Sequence, residues 1–143
     1  MRKFRSEIAI DATPERVWEV LSDFGSYRIW NPFITKAEGS ASLHGHLRLT
    51  VTLAGLPAVG FSAMLTGFEP PRRLGWHAFL VPGGMFEALH RFELHPLDSG
   101  RTLFVHLEEF GGWLSAPALL LLGGAFRKGY AGMNRALKQR AES

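Results

Sequence analysis

The sequence predicts an α+β domain: an antiparallel sheet of about seven strands covered by one long C-terminal helix, with two short helices after the first strand. Three observations carry that prediction. Apolar and polar residues alternate in strand fashion, as where Leu47, Leu49, Val51 and Leu53 share one face and His46, Arg48, Thr50 and Thr52 the other. The alternating segments are joined by short turn signals, Gly55-Leu56-Pro57, Val81 to Met85 and Pro96 to Gly100, which makes sequence neighbours antiparallel. Towards the end the period changes. Leu119, Leu122, Phe126, Tyr130, Met133 and Leu137 recur at steps of three and four, one face of a helix over 115–141.

In chain order, Phe4, Ser6, Ile8 and Ile10 alternate with Arg5, Glu7 and Ala9 and predict a strand over 3–10. Thr13 then fits an N-cap, Pro14 the first helical position and Glu15 the positive end of the dipole. Val17, Trp18, Leu21 and Phe24 give this helix an apolar side, and Gly25 a stop. Ser26 to Trp30 reads as a second helical turn closed by Asn31-Pro32. Strands are predicted over 33–38, 46–53, 59–66, 74–80, 86–95 and 101–110. A sheet with one apolar face needs a cover, and only the last helix is long enough to provide it. Ser115 fits its cap, and basic residues crowd its C-terminal end. Inside it lie Gly123, Gly124, Gly129 and Gly132, each costing about 1 kcal/mol relative to alanine. Missing side-chain volume there predicts a close-packed neighbour or open space beside Phe126, Tyr130 and Met133.

With 143 residues, 46% hydrophobic and 20% charged, the chain has the size and composition of one globular domain, residues 1–143. Its formal net charge is +3, but the cations are scattered or gathered at the two ends rather than interleaved with aromatics, so no nucleic acid is expected. The lack of cysteine excludes disulfides and thiolate chemistry. The opening runs straight into a strand pattern without a signal segment, and the longest apolar run, Ala118 to Leu122, is too short to span a bilayer. The expectation is a soluble cytoplasmic protein without stable membrane insertion; the sequence sets no oligomeric state.

His90 is the residue with the most chemical promise. On its strand it shares a face with Phe86, Ala88, Phe92 and Leu94, so it points toward the helix. On the following strand Leu103, Val105 and Leu107 form an apolar set that Glu109 continues. A two-residue turn at Ser99-Gly100 places Glu109 opposite His90, an imidazole–carboxylate pair able to orient a ligand or move a proton. The other reading leaves Glu109 in water and joins His90 to the tip of Tyr130. His77, His95 and His106 share the parity of outward residues and are expected in solvent. His44 and His46 lack a third ligand, so no metal is expected. Neither a nucleophile elbow nor a phosphate-binding glycine loop is present, and no cofactor is expected.

Several stretches together resemble the START-like, or SRPBCC, superfamily, and within it the polyketide cyclase/dehydrase-like branch. They are Ala12-Thr13-Pro14-Glu15-Arg16-Val17-Trp18, Trp30-Asn31-Pro32-Phe33-Ile34, Pro70-Pro71-Arg72-Arg73-Leu74-Gly75-Trp76, and the ending with Phe126, Met133-Asn134 and Leu137-Lys138. The resemblance runs over essentially the whole chain. It implies the helix-grip fold, a curved antiparallel sheet wrapped around the C-terminal helix. It guides function less well, because that superfamily holds lipid carriers, cyclases, hydrolases, hormone receptors and Hsp90-activating domains. Taken with the helix glycines, it implies a cavity between sheet and helix. Trp30, Phe33, Trp76, Phe86, Phe92, Phe126 and Met133 are its expected walls, and His90, Glu109 and Tyr130 its polar anchors. Met85 and Phe86 are expected to form an apolar flap on a gating loop, Val81 to Met85. The implied partner is a small hydrophobic molecule, a lipid, quinone or aromatic polyketide, carried or sensed. The alternatives are a cyclase, dehydrase or hydrolase with His90 as acid/base, and a protein-interaction module of the Hsp90-activator type.

Overall fold

A computed structural model describes residues 2–143. The elements in order are β1 (Arg2–Ile10), α1 (Pro14–Ser22), α2 (Tyr27–Trp30), β2 (Ile34–Gly39), β3 (His46–Val51), β4 (Val59–Glu69), β5 (Arg73–Val81), β6 (Phe86–Pro96), β7 (Thr102–Gly111) and α3 (Ser115–Glu142). Short 3₁₀ turns at Phe24–Ser26 and Asp98–Gly100 link α1 to α2 and β6 to β7. The seven strands form one curved antiparallel sheet in the order β1-β7-β6-β5-β4-β3-β2. After β1 the chain therefore starts again at the far edge and meanders back strand by strand, until β7 closes against β1. The arrangement is the helix-grip fold, with α3 lying against β1 and β7 and touching α1.

Local chemistry sets the element ends. Thr13 caps α1 by accepting the Arg16 N–H at 3.2 Å, with Pro14 in the first turn. The helix stops at Ser22, before the expected stop at Gly25, and the chain passes into the 3₁₀ turn. Ser115 does not cap α3; its hydroxyl donates to the Gly112 carbonyl at 2.6 Å, and Leu114 occupies the cap position. Asn31 accepts the N–H groups of Phe33 and Ile34 at 3.0 and 2.9 Å, which turns the chain from α2 into β2 and aims Phe33 inward.

The core lies between the sheet's inner face and α3. Leu74, Trp76 and Ala78 of β5 and Phe86, Ala88, Phe92 and Leu94 of β6 are buried there, as are Leu119, Phe126, Tyr130, Met133 and Leu137 of α3. Burying a Leu or Phe side chain of this kind contributes about 1.5–3 kcal/mol, which is what holds the helix on the sheet. Gly129 explains itself here. A Cβ at that position would lie 2.5 Å from Phe33 Cδ1, so the missing side chain makes room for the Phe33 ring against the helix backbone rather than for open space. Gly132 has only Pro32 near its absent Cβ, at 3.6 Å.

Candidate functional site

The site rests on the register between β6 and β7. Pro96 pairs with Thr102, so the connecting loop spans 97–101, closed by the Leu97 N–H on the Arg101 carbonyl at 2.8 Å. Even positions then face even positions, and His90 lies opposite Glu108. The expected partner Glu109 pairs with Leu89 instead, points to the outer face and lies 3.8 Å from Lys3. The reason is the loop: a two-residue turn and the observed five-residue one differ by a single step of register, which turns every β7 side chain to the other face. The same step brings His106, expected in solvent, into the core at 1% exposure. His77 and His95 do stand toward solvent, where each meets a carboxylate, Glu87 at 2.7 Å and Glu93 at 3.0 Å.

A line of buried hydrogen bonds results. The Tyr130 hydroxyl donates to Glu108 Oε1. Glu108 Oε2 lies 2.7 Å from His90 Nδ1, and His90 Nε2 lies 2.6 Å from His106 Nε2. His106 Nδ1 is 2.8 Å from Asn134 Oδ1, and Asn134 Nδ2 donates to Ser6 Oγ at 2.9 Å. Aromatic rings enclose the imidazoles: Trp76 and Phe92 stand 5.1 and 4.8 Å from the His90 ring, centroid to centroid.

Donor and acceptor rules fix the hydrogens from the far end. The Asn134 oxygen only accepts, so His106 carries its hydrogen on Nδ1. Burial holds the His106 pKa well below the ordinary imidazole value; a positive charge on His90 adds to this and the bond to Asn134 opposes it. His106 is therefore neutral, its Nε2 is a bare acceptor, and His90 must donate from Nε2. Burial, followed by the Glu108 charge, pushes the Tyr130 hydroxyl up, so it stays a donor. One bond is left, Nδ1 to Oε2, and it needs one hydrogen. That hydrogen sits on His90, facing a carboxylate, or on Glu108, facing a neutral imidazole. Both forms leave the pair with zero net charge, as a buried site requires. The pair thus holds a single shared proton that can be offered or withdrawn.

Beside this pair is a cavity of about 370 Å³ between the sheet and α3. His90 and Glu108 face it, and apolar side chains form the rest of its wall. Of the residues expected there, Phe33, Trp76, Phe86, His90 and Phe126 line it. Six do not. Glu109 faces outward; Trp30 packs on Tyr27 at 5.2 Å under α2; Phe92 is stacked on Phe104 behind His90. Met133 is fully buried in solid packing, and Tyr130 stands behind Glu108, the carboxylate between it and the space. Met85 is held at the start of α3, where its carbonyl accepts the Leu114 N–H at 2.9 Å. Gly112 makes that approach possible: at φ +94° its Cβ would lie 2.3 Å from the Met85 oxygen. The loop Val81 to Met85 thus faces the N-terminal part of α3 without bordering the cavity, and of the expected flap only Phe86 lines it.

The cavity lies further toward β3 and β4 than the helix glycines suggest. Ile34, Leu49, Val51 and Phe61 line it, and Leu56, Pro57 and Val59 carry it out to solvent. Leu56 and Val59 are 45% and 58% exposed, which marks the mouth at the turn between β3 and β4. Sequence reasoning missed Glu108, His106 and Asn134. A signal for Asn134 was present: it follows Tyr130 by one helical turn and so shares the buried stripe. His44 and His46 hold no common partner; among the described residues no group of three or more His, Cys, Asp or Glu is placed to hold a metal ion.

A family model described as "Polyketide cyclase / dehydrase and lipid transport" matches residues 1–142. Among curated proteins, none matches the sequence. The Zhui aromatase/cyclase from Streptomyces sp. R1128 superposes with a TM-score of 0.81 at 20% identity, over 99% of this chain and 93% of that one. A START superfamily protein from Mycobacterium smegmatis gives 0.74 at 22% identity, over 98% and 97%. The di-domain ARO/CYC BexL of the BE-7585A biosynthetic pathway gives 0.76 at 14% identity, this chain covering half of it. At these identities the likeness is one of fold. Among the described residues no helix is long and apolar enough to cross a membrane.

Proposed function

The chain belongs to the polyketide cyclase/dehydrase and lipid transport family, and from that premise we propose that it binds a small, largely apolar molecule in the cavity between sheet and α3. The ligand's polar group rests on the Glu108–His90 pair. One observation carries the reading: a cavity of about 370 Å³, within the range of small-molecule sites, with an apolar wall and two polar side chains set side by side. Lipids, quinones and aromatic polyketides have the matching chemistry, an apolar body with a carbonyl or hydroxyl. The pair can accept from a hydroxyl through the carboxylate lone pairs that Tyr130 and His90 leave free, and it donates to a carbonyl when the shared proton leaves the Nδ1–Oε2 bond for the ligand. A ligand carried or sensed in this way needs no turnover. An open cavity of this kind also argues against a pure protein-interaction module.

The shared proton favours one second reading, an acid/base enzyme of the cyclase or dehydrase class. The pair would protonate a ligand oxygen and take the proton back, with Tyr130 steadying Glu108 and His106 steadying His90. Substitution of His90 separates the two. For binding alone, His90→Gln lowers affinity for 1-naphthol, an apolar bicycle with one hydroxyl, by about one hydrogen bond, roughly 0.5–1.5 kcal/mol. For an enzyme, the same change also abolishes product formation from a poly-β-keto substrate. Product from the wild-type protein that disappears in His90→Gln overturns the carrier reading. Affinity for 1-naphthol unchanged in the variant overturns both.

A further inference from the structure

The solvent side of α3 breaks the usual rule for a surface helix. From Gly111 to Phe126 the chain carries no charge at all, although seven of these sixteen residues are exposed. Leu120 and Leu121 are 91% and 84% exposed, and Trp113, just before the helix, is 72% exposed. Along the same exposed stripe, Pro117, Leu120, Leu121 and Gly124 are followed by Lys128 and Arg135. The helix has five cations, Arg127, Lys128, Arg135, Lys138 and Arg140, and one acid, Glu142, at its last position. Its outer surface is therefore apolar at one end and cationic at the other. A groove against β1, lined by Arg2, Lys3, Phe4, Leu119, Leu120 and Arg127, adds positive charge beside the apolar end. Lys3 is partly offset by Glu109, whereas Arg2, Arg127 and Lys128 have no carboxylate partner among the described residues.

We propose that this ridge docks the protein on an anionic lipid bilayer. Trp113, Leu120 and Leu121 enter the interface, while Arg2, Arg127 and Lys128 meet lipid phosphates. An apolar patch of this exposure calls for a cover. Its composition fits one cover in particular: exposed leucines and a tryptophan beside lysine and arginine match an interfacial helix. Charge points the same way, since a surround with a net cationic excess repels a second copy of itself and attracts an anionic surface. On the side of α3 away from this ridge, Leu122 lines the cavity.

The test is co-sedimentation of the full chain with phosphatidylcholine vesicles, with and without phosphatidylglycerol, alongside light scattering of the protein alone. The wild type is expected to be monomeric, to bind the anionic vesicles, and to release them at high salt. Leu120→Gln combined with Leu121→Gln should weaken binding about tenfold or more, and Lys128→Gln about fivefold. All three positions are exposed, so folding is preserved and circular dichroism checks it. No binding to anionic vesicles, binding indifferent to the leucine changes, or a dimer that the leucine changes dissociate each overturns the proposal.

Discussion

His106 offers a test of the buried network that needs no ligand. Its imidazole is neutral in the native protein, with a pKa held well below the ordinary 6.5 by burial and by the neighbouring His90. The unfolded chain has no such restraint. Below about pH 6.5 it takes up a proton on residue 106 that the native protein refuses, so the unfolded state binds more protons and stability falls as pH falls. Above that pH the contribution is complete. The slope for one such group is about 1.4 kcal/mol per pH unit, which amounts to roughly 1.3 kcal/mol between pH 7.5 and 5.5. His106→Asn removes the titration while keeping an amide N–H where Nδ1 was, still able to donate to Asn134. Urea unfolding of both proteins across this range gives two stability curves, from which terms common to both cancel. The wild-type curve should drop more steeply by about 1.3 kcal/mol. Parallel curves would show that His106 is already charged or exposed in the native state, and the hydrogen-bond order derived above would fail.

Two further outcomes are expected. Gly124→Ala meets nothing within 4 Å and should stabilise α3 by about 0.5–1 kcal/mol, whereas Gly129→Ala drives a methyl into the Phe33 ring. Overpacking there, about 1–3 kcal/mol, should outweigh the helix gain; equal stabilisation by both changes in thermal melts would remove Phe33 from the helix surface. Tyr130→Phe strips the donor from Glu108 Oε1 in a closed site and should cost about 1–3 kcal/mol in urea unfolding, with a change under about 0.5 kcal/mol contradicting the contact.

The fold was legible because each element announces itself locally: Thr13-Pro14 starts α1, the period of two runs cleanly through β3, β5 and β6, and the buried stripe of α3 stands out from Leu119 to Leu137. The site was legible only up to His90. Its strand has one apolar face, so its direction follows from Phe86, Ala88, Phe92 and Leu94. β7 has apolar residues on both faces, Leu103, Val105 and Leu107 against Phe104 and Phe110, so periodicity does not choose between them. The choice is made by the loop 97–101, where Ser99 and Gly100 take left-handed conformations at φ 63° and 71° and set the register. That one step separates Glu108 from Glu109 and sends His106 inward. The cavity's position was hidden for a different reason. Glycine in a helix reports missing volume without saying what fills it, and at Gly129 the filling is Phe33.

The central claim is that a small apolar molecule sits in the space walled by Leu49, Val51 and Ala78 with its polar group at Glu108 and His90. Intermolecular nuclear Overhauser effects, measured on methyl-labelled protein with 1-naphthol, test it directly. The account predicts contacts from the naphthyl protons to the methyls of Leu49, Val51 and Ala78, all lost in Ala78→Phe, which fills the space from its wall. Contacts confined to the exposed Leu120 and Leu121, and unchanged by Ala78→Phe, would contradict it.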